Sequence, residues 1–386
     1  MARAFCPKSA VIALMLYIVL AGLIGITICG MKWNGESIHV NLDIYKQESK
    51  KELLNENCKT TKPTLIFTCL GEKAFTSYQL YIWEAMEQAR LTNPNIRMTV
   101  ILNRAAYTTL NADKLRLLRI SVAFSDDLYN GNTLFQEFQQ KFFEKGAMKP
   151  NGNEKFVQYV VERLVALYAY MNQTKLCNVF HMENDNMLYI DLNRLAMRML
   201  ECNVSIAIPR AAIDQAVMSF IFVKSSRIME HFVEWCVNVF RMGPEKAVKF
   251  LNTSWINDMT LGARYLQLFA TSNEQSKITG VFELPTWINE RNESCCLCKM
   301  TQNDAIIFDA CVLGQYFGGT FSNPNQKHWE MNRLVDPRGL LLDWRPSEHG
   351  AHKHPYIIGI KIANIHVHSK KLARFSSIRG SQFNSL

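Results

Sequence analysis

Asn178-Val-Phe-His-Met-Glu-Asn-Asp-Asn-Met-Leu-Tyr189 is an apolar run that breaks at Glu183-Asn184-Asp185 and then turns apolar again. Runs of that length read as buried strands, and few core strands pass through two acids, because a buried carboxylate needs a partner. On an extended backbone, residues two apart project to the same side, so Glu183 and Asp185 would offer two hard oxygen ligands at one point. A divalent ion held there can neutralise the charge that develops on a departing phosphate. An acidic turn capped by Asn is the alternative reading of the triplet. Asp126-Asp127, also placed after a strand, is a competing pair.

Upstream of this segment, Thr64 to Gly71 reads as a buried strand ending in a turn, and Tyr78, Ile82, Ala85, Met86 and Ala89 recur at helical spacing. Asn93-Pro94 ends that helix before strands at Arg97 to Leu102 and Arg119 to Phe124. Two apolar stripes predict helices, one through Phe135, Phe138 and Phe142, the other through Phe156, Val160, Leu164 and Leu167. Downstream, short strands are expected at Val204 to Ile208, Ser219 to Val223 and Gly280 to Leu284. Helices are expected at Ile228 to Phe240 and Asn257 to Phe269, with a last strand at Ile362 to His368. Strands alternating with helices predict an α/β fold whose ligands lie beyond the carboxyl ends of the strands, and one mixed sheet suffices for Pro63 to about Phe375.

The string from His181 to Tyr189, lodged between two apolar strands, resembles the acidic metal-binding motif of glycosyltransferases of the GT-A fold. Phe308-Asp-Ala-Cys-Val-Leu-Gly-Gln-Tyr-Phe-Gly-Gly-Thr320 and Asn364-Ile-His-Val-His-Ser-Lys370 are similar to segments of bacterial and viral GT-A-like proteins of unassigned donor. The resemblance implies a mixed, mainly parallel sheet flanked by helices, with Mn²⁺ or Mg²⁺ and a UDP- or GDP-sugar as cofactor and donor. A glycan or glycoprotein would be the acceptor. It places Asp185 on the metal, Glu183 on the ribose or the metal, and Asp126 near the nucleoside. A C-terminal His completes such sites, and of His366 and His368 the choice falls narrowly on His368; Lys370 would meet a diphosphate oxygen. Asp258, in Trp255-Ile-Asn-Asp-Met-Thr260, resembles the general base of inverting members, although Asn257 stands where a second acid often precedes it. A helix cap is the other reading of Asp258.

Gly314, Gly318 and Gly319 permit close backbone approach to a ligand, or simply form a turn. His366 and His368 alternate with Ile365 and Val367, so on a strand both imidazoles share one face. Trp255 and Trp287 are available to stack on sugar rings or to fill the core.

Ala10 to Cys29 contains no charge, and twenty residues at about 1.5 Å each span the roughly 30 Å hydrocarbon core. Arg3 and Lys8 precede it without an acid, which predicts a type II anchor: a cytosolic tail at 1–9, the membrane helix at 10–30, a polar stem at 31–62, the catalytic body at 63–375 and a tail at 376–386. The expected location is the Golgi or endoplasmic reticulum membrane, with the body in the lumen. A cleaved signal peptide is the rival, but its apolar centre is ordinarily about 7 to 15 residues. Four sequons, at Asn172, Asn203, Asn252 and Asn292, are near the number chance supplies. Eleven Cys suit an oxidising lumen, and Cys295, Cys296 and Cys298, lacking a second metal-binding half, read as disulfides or buried thiols.

With 43 Lys and Arg against 34 Asp and Glu the net charge is +9, yet no dense basic stripe interleaved with aromatics points to nucleic acid. Without a GxSxG elbow, HExxH, P-loop or dinucleotide fingerprint, the serine hydrolase, zincin, P-loop and dehydrogenase classes lack their carriers. A metal-dependent phosphoesterase and an inactive, membrane-anchored carbohydrate-binding protein remain as alternatives to a transferase.

Overall fold

The structure, a computed structural model, describes residues 62–71, 80–144, 154–270, 280–287, 296–298, 305–320, 335–347 and 352–378. The expected anchor, nearly all of the stem, Tyr78, Asn292 and Cys295 lie outside the described residues. Among the described residues no helix is long and apolar enough to cross a membrane.

The chain begins as expected, with strands and helices in alternation. In order come β1 (Thr64–Cys69), α1 (Tyr81–Thr92), β2 (Arg97–Leu102), α2 (Thr109–Leu117) and β3 (Ile120–Phe124). The short α3 (Ser125–Tyr129), α4 (Thr133–Glu144) and α5 (Glu154–Thr174) then lead to β4 (Cys177–Met182) and β5 (Asn186–Leu188). After α6 (Leu192–Glu201) follow β6 (Ile206–Ala212), β7 (Gln215–Ala216), β8 (Phe220–Ser225) and α7 (Ser226–Arg241). The remainder runs through α8 (Pro244–Leu251), α9 (Asp258–Phe269), β9 (Val281–Leu284), β10 (Ile306–Ile307), α10 (Val312–Phe317), β11 (Asp343–Pro346), β12 (Lys353–Ile357), β13 (Ile360–Ile362) and β14 (Asn364–His366).

Eight strands form the main sheet, in the order β3-β2-β1-β4-β8-β6-β7, with β9 on β6. The quartet β3-β2-β1-β4 is parallel, whereas β8 runs antiparallel to both β4 and β6. Helices cover both faces, which is why its strands read as unbroken apolar runs rather than alternating ones. Ile66, Val179 and Ile221 point into a core shared with α4, α5, α7 and α9, while their neighbours Leu65, Phe67, Phe180 and Phe220 point into a second core with α1 and α6. At roughly 1.5–3 kcal/mol for each fully buried aliphatic or aromatic side chain, this two-sided burial is the main force that flattens the chain into layers. Local signals set the helix ends. Asp191 caps α6 by accepting from Asn193 N at 2.7 Å, and Asn257 and Thr260 form a capping box on α9.

Two expectations about the sheet need correction. One sheet does not hold all the strands: β10-β13-β12-β11 form a separate four-stranded sheet, and β14 pairs with β5 alone. Nor is Ile362 to His368 one strand. Ile362 ends β13, beside β10, and after Ala363 the chain re-pairs as β14 against β5. That change of partner brings the C-terminal histidines to the acidic segment.

Candidate cation-binding site at the end of β4

Glu183 immediately follows β4, at the carboxyl edge of the parallel quartet. Strand order reverses there, between β1 and β4, and such a switch point opens a crevice above the sheet. The backbone at Glu183-Asn184-Asp185 is not extended as expected; it forms a turn between β4 and β5. Glu183 N donates to Ser219 O at 2.8 Å, and Asn186 Nδ2 donates to the same carbonyl at 3.1 Å, which fixes both ends of the turn. The carboxylates meet because a third element collects them.

That element is β14. Its antiparallel register sets His366 opposite Asn186, one residue from Asp185, and Val367 N donates to Asp185 O at 2.9 Å. His366 Nε2 then lies 3.0 Å from Asp185 Oδ1 and 3.1 Å from Glu183 Oε2. Ile365 and Val367 are wholly buried on the other side, as the alternation predicted. The structure therefore places His366, not the favoured His368, against the acids. His368 lies one step further on, with ring centroids 4.9 Å apart, and faces Cys311.

Asp309, which the sequence reading passed over, holds this arrangement in place. Fully buried, it accepts from Leu313 N at 2.9 Å, Gly314 N at 2.8 Å and His366 N at 3.0 Å, so one carboxylate ties the start of α10 to β14. Gly314 allows the contact, since a Cβ there would lie 1.8 Å from the His366 carbonyl oxygen. The close approach that this glycine permits is thus to the protein's own backbone, not to a ligand.

Two cations flank the acids. Lys370, in a left-handed backbone conformation at φ 58°, places its ammonium on Asp185 Oδ2 and 5.3 Å from the centre of the Tyr81 ring. Arg163, in the middle of α5, pairs with both Glu183 and Asp258, and all three side chains are almost fully buried. The helix-cap role weighed for Asp258 belongs to its neighbour Asn257. Asp258 is instead one end of a buried Glu183-Arg163-Asp258 triad, only 4% exposed, with its carboxylate engaged by Arg163. Asp126 stays apart from this cluster, beyond β1 and β2 at the end of edge strand β3, accepting from Arg104 N at 2.8 Å. Trp255 and Trp287 are half-buried, and Trp287 packs on the cluster around β14.

Electrostatics follow the geometry. Burial opposes ionisation of Glu183, but Arg163 and His366 outweigh it and bring its carboxyl down to about 2. Burial likewise opposes Asp185, and His366 and Lys370 hold it well below the carboxylate range. For His366, burial favours the neutral ring, yet Asp185, Cys311 and Glu183 raise it well above the ordinary value. Burial raises Asp258 more than Arg163 lowers it.

A divalent ion fits the donors present. One ligand atom from each of Glu183, Asp185 and His366 lies within 4.8 Å of the others. Octahedral ligands about 2.1 Å from an ion stand about 3.0 Å from each other, matching the 3.0 and 3.1 Å measured to His366 Nε2. Asp185 Oδ1 and His366 Nε2, both buried, make no aligned hydrogen bond despite that proximity, as donors turned toward a common point would.

Seven of the eleven cysteines lie among the described residues, and of the Cys295-Cys296-Cys298 cluster the two that are described are both disulfide-bonded. Cys202 and Cys296 are bonded, joining residues 94 apart, and Cys177 and Cys298 are also disulfide-bonded. Cys69, Cys236 and Cys311 are buried free thiols.

No protein-family profile matches the sequence, and no curated protein matches it. Among solved structures, the apo form of mouse xyloside xylosyltransferase 1 matches 61% of this chain and 90% of its own, at 10% identity and a TM-score of 0.42. An active-site mutant of LgtC matches over 58% and 73%, at 11% identity and 0.34. The PaToxG glycosyltransferase matches over 53% and 69%, at 12% identity and 0.31. With each TM-score below 0.5, these likenesses establish neither a family nor an activity.

Proposed function

We propose that this chain is a metal-dependent glycosyltransferase that moves a sugar from a nucleotide-sugar donor to a glycan or protein acceptor. The observation that carries the reading is the convergence of Glu183, Asp185 and His366 on one point at the switch between β1 and β4. The resemblance of the strings around them to GT-A motifs supports it. A divalent ion held by those three side chains supplies Lewis-acid neutralisation of a departing diphosphate.

The remaining residues bind and position. Lys370, its side chain 44% exposed on a flexible stem, exchanges Asp185 for a diphosphate oxygen when a donor enters. Arg163 holds Glu183 ionised and aimed at the ion, and Asp258 in turn fixes Arg163. Asp258 is thus a positioning residue in this reading, replacing the base suggested by its sequence context.

The same reading puts the body in the lumen of the secretory pathway, behind a type II anchor at 10–30. The Cys202–Cys296 bond supports an oxidising compartment, and the sequon residues Asn172, Asn203 and Asn252 are all exposed. The test uses the full chain in mild detergent with Mn²⁺ and a panel of UDP- and GDP-sugars. Free UDP or GDP should appear with one donor, and Asp185→Asn should lower its rate at least about 100-fold. Phosphate release from simple phosphoesters without a sugar donor, or no turnover by folded, metal-loaded protein across the panel, would contradict the proposal.

A further inference from the structure

The His366 imidazole belongs to a second cluster. One ligand atom from each of Cys311, His366 and His368 lies within 4.8 Å of the other two. Cys311 Sγ is 2.9 Å from His368 Nε2, and Gln315 Nε2 lies 3.1 Å from the sulfur and 3.2 Å from His368 Nδ1. Gln315 thereby orients both outer members, as second-sphere groups do around metal ligands. Cys311 adopts a left-handed backbone at φ 73° just before α10, a conformation that side-chain-bearing residues rarely hold unless their surroundings fix it. His366 Nδ1 is buried without a hydrogen-bond partner. His368 is exposed while Cys311 and His366 are buried, which leaves a path from solvent.

We propose that Cys311, His366 and His368 form a second cation site, suited to a thiophilic divalent ion of the zinc class, that competes with the carboxylate site for the His366 imidazole. Thiolate and imidazole donors select zinc-class ions, whereas Mg²⁺ and Mn²⁺ favour carboxylate oxygens. A neutral imidazole has one lone pair to give, so His366 serves one ion at a time. Binding converts the Cys311 thiol to thiolate and the His366 ring to its neutral form, with one proton released to solvent from each. The proton on His368 Nε2 is exchanged for one on Nδ1, which the exposed ring donates to solvent as a hydrogen bond while Gln315 Nε2 keeps donating to the sulfur. Tetrahedral zinc holds sulfur and nitrogen about 3.5 Å apart, so the 2.9 Å contact must widen, a displacement open to the exposed His368. The competition, though not the site itself, rests on the proposed carboxylate cation site.

Cadmium, a spectroscopic stand-in for zinc, tests the site through its thiolate charge-transfer absorption in the full chain. One equivalent should produce the band in the wild type and in Asp185→Asn. Cys311→Ser should abolish it, and His368→Ala should weaken cadmium affinity about tenfold or more. His368→Ala alters an exposed position and keeps the test decisive if Cys311→Ser fails to fold. Competition is read from displacement of bound Mn²⁺ by Zn²⁺, which should need about tenfold more zinc in Cys311→Ser than in the wild type. A band that survives both substitutions assigns the thiolate to another cysteine and overturns the proposal, as does zinc displacement that Cys311→Ser leaves unchanged. Should the wild type bind no Mn²⁺, the carboxylate reading and the competition both fall, and the cadmium band alone decides whether the soft site exists.

Discussion

Removing the guanidinium of Arg163 puts the buried triad under the most direct strain. In Arg163→Met the apolar stem is retained but both ion pairs are lost, at side chains 11%, 14% and 6% exposed. Glu183 keeps His366 as a partner, whereas Asp258 loses the pairing that offsets its burial. Breaking a buried pair by deleting one member costs about 3–5 kcal/mol. A ceiling comes from the escape open to Asp258, which can take up a proton. From its ordinary value of 3.8, neutralising it at about pH 7 costs about 4 kcal/mol, at 1.36 kcal/mol per pH unit. The sign follows from linkage. In the variant the folded-state Asp258 lies further above 3.8, so the stability tied to its proton is present at low pH and lost as pH rises through the folded value. The deficit should therefore be about 3–4 kcal/mol near pH 7 and about half that near pH 5. Denaturant unfolding of wild type and variant at the two pH values measures it. A deficit below about 1 kcal/mol near pH 7, or one that acidification leaves unchanged, would refute the electrostatic account of the triad.

Gly314→Ala sets a methyl group 1.8 Å from the His366 carbonyl oxygen, where at least 3.0 Å is needed. It should lower stability by about 3 kcal/mol and weaken Mn²⁺ binding through displaced β14, both readable by melting with and without metal. Burial holds His231, beside Tyr265, at about 4 against an ordinary 6.5, so the stability tied to its neutral ring is full above pH 6.5 and is lost as pH falls toward 4. Denaturation midpoints should drop over that window, and His231→Phe should flatten the drop by up to about 3 kcal/mol. Replacing Cys202 and Cys296 by Ala opens a loop across 94 residues and should cost about 4–5 kcal/mol, read by denaturation under non-reducing conditions.

The main sheet was legible because its strands are buried on both faces. Leu65, Ile66 and Phe67 all had to be apolar, and so did Val179 and Phe180, so the runs stand out from their surroundings. The smaller sheets left no such trace. β11 is largely exposed, and β12, Lys-His-Pro-Tyr-Ile, mixes polar and apolar residues over five positions. Alternation showed that His366 and His368 share a side but carried nothing about which one meets the acids. That choice comes from the pairing of β14 with β5, a contact across about 180 residues of chain. Arg163 lay unnoticed in an apolar stripe, although its spacing from Val160 and Leu167 puts a charge on the packed face, a signal that a partner was needed. The Asn257-Asp258 pair misled because either residue type starts a helix; the capping box with Thr260 assigns that role to Asn257 and frees Asp258 for Arg163.

Manganese binding to the purified full chain, followed by the loss of the free-ion EPR signal, probes the central claim most directly. The wild type should take up one ion with micromolar or tighter affinity at the acidic turn, and Asp185→Asn and His366→Ala should each weaken it about tenfold or more. His368→Ala should leave it within a factor of about two, because that ring faces Cys311. A wild type that binds no manganese, or a loss that follows His368 while His366→Ala is silent, would contradict the account.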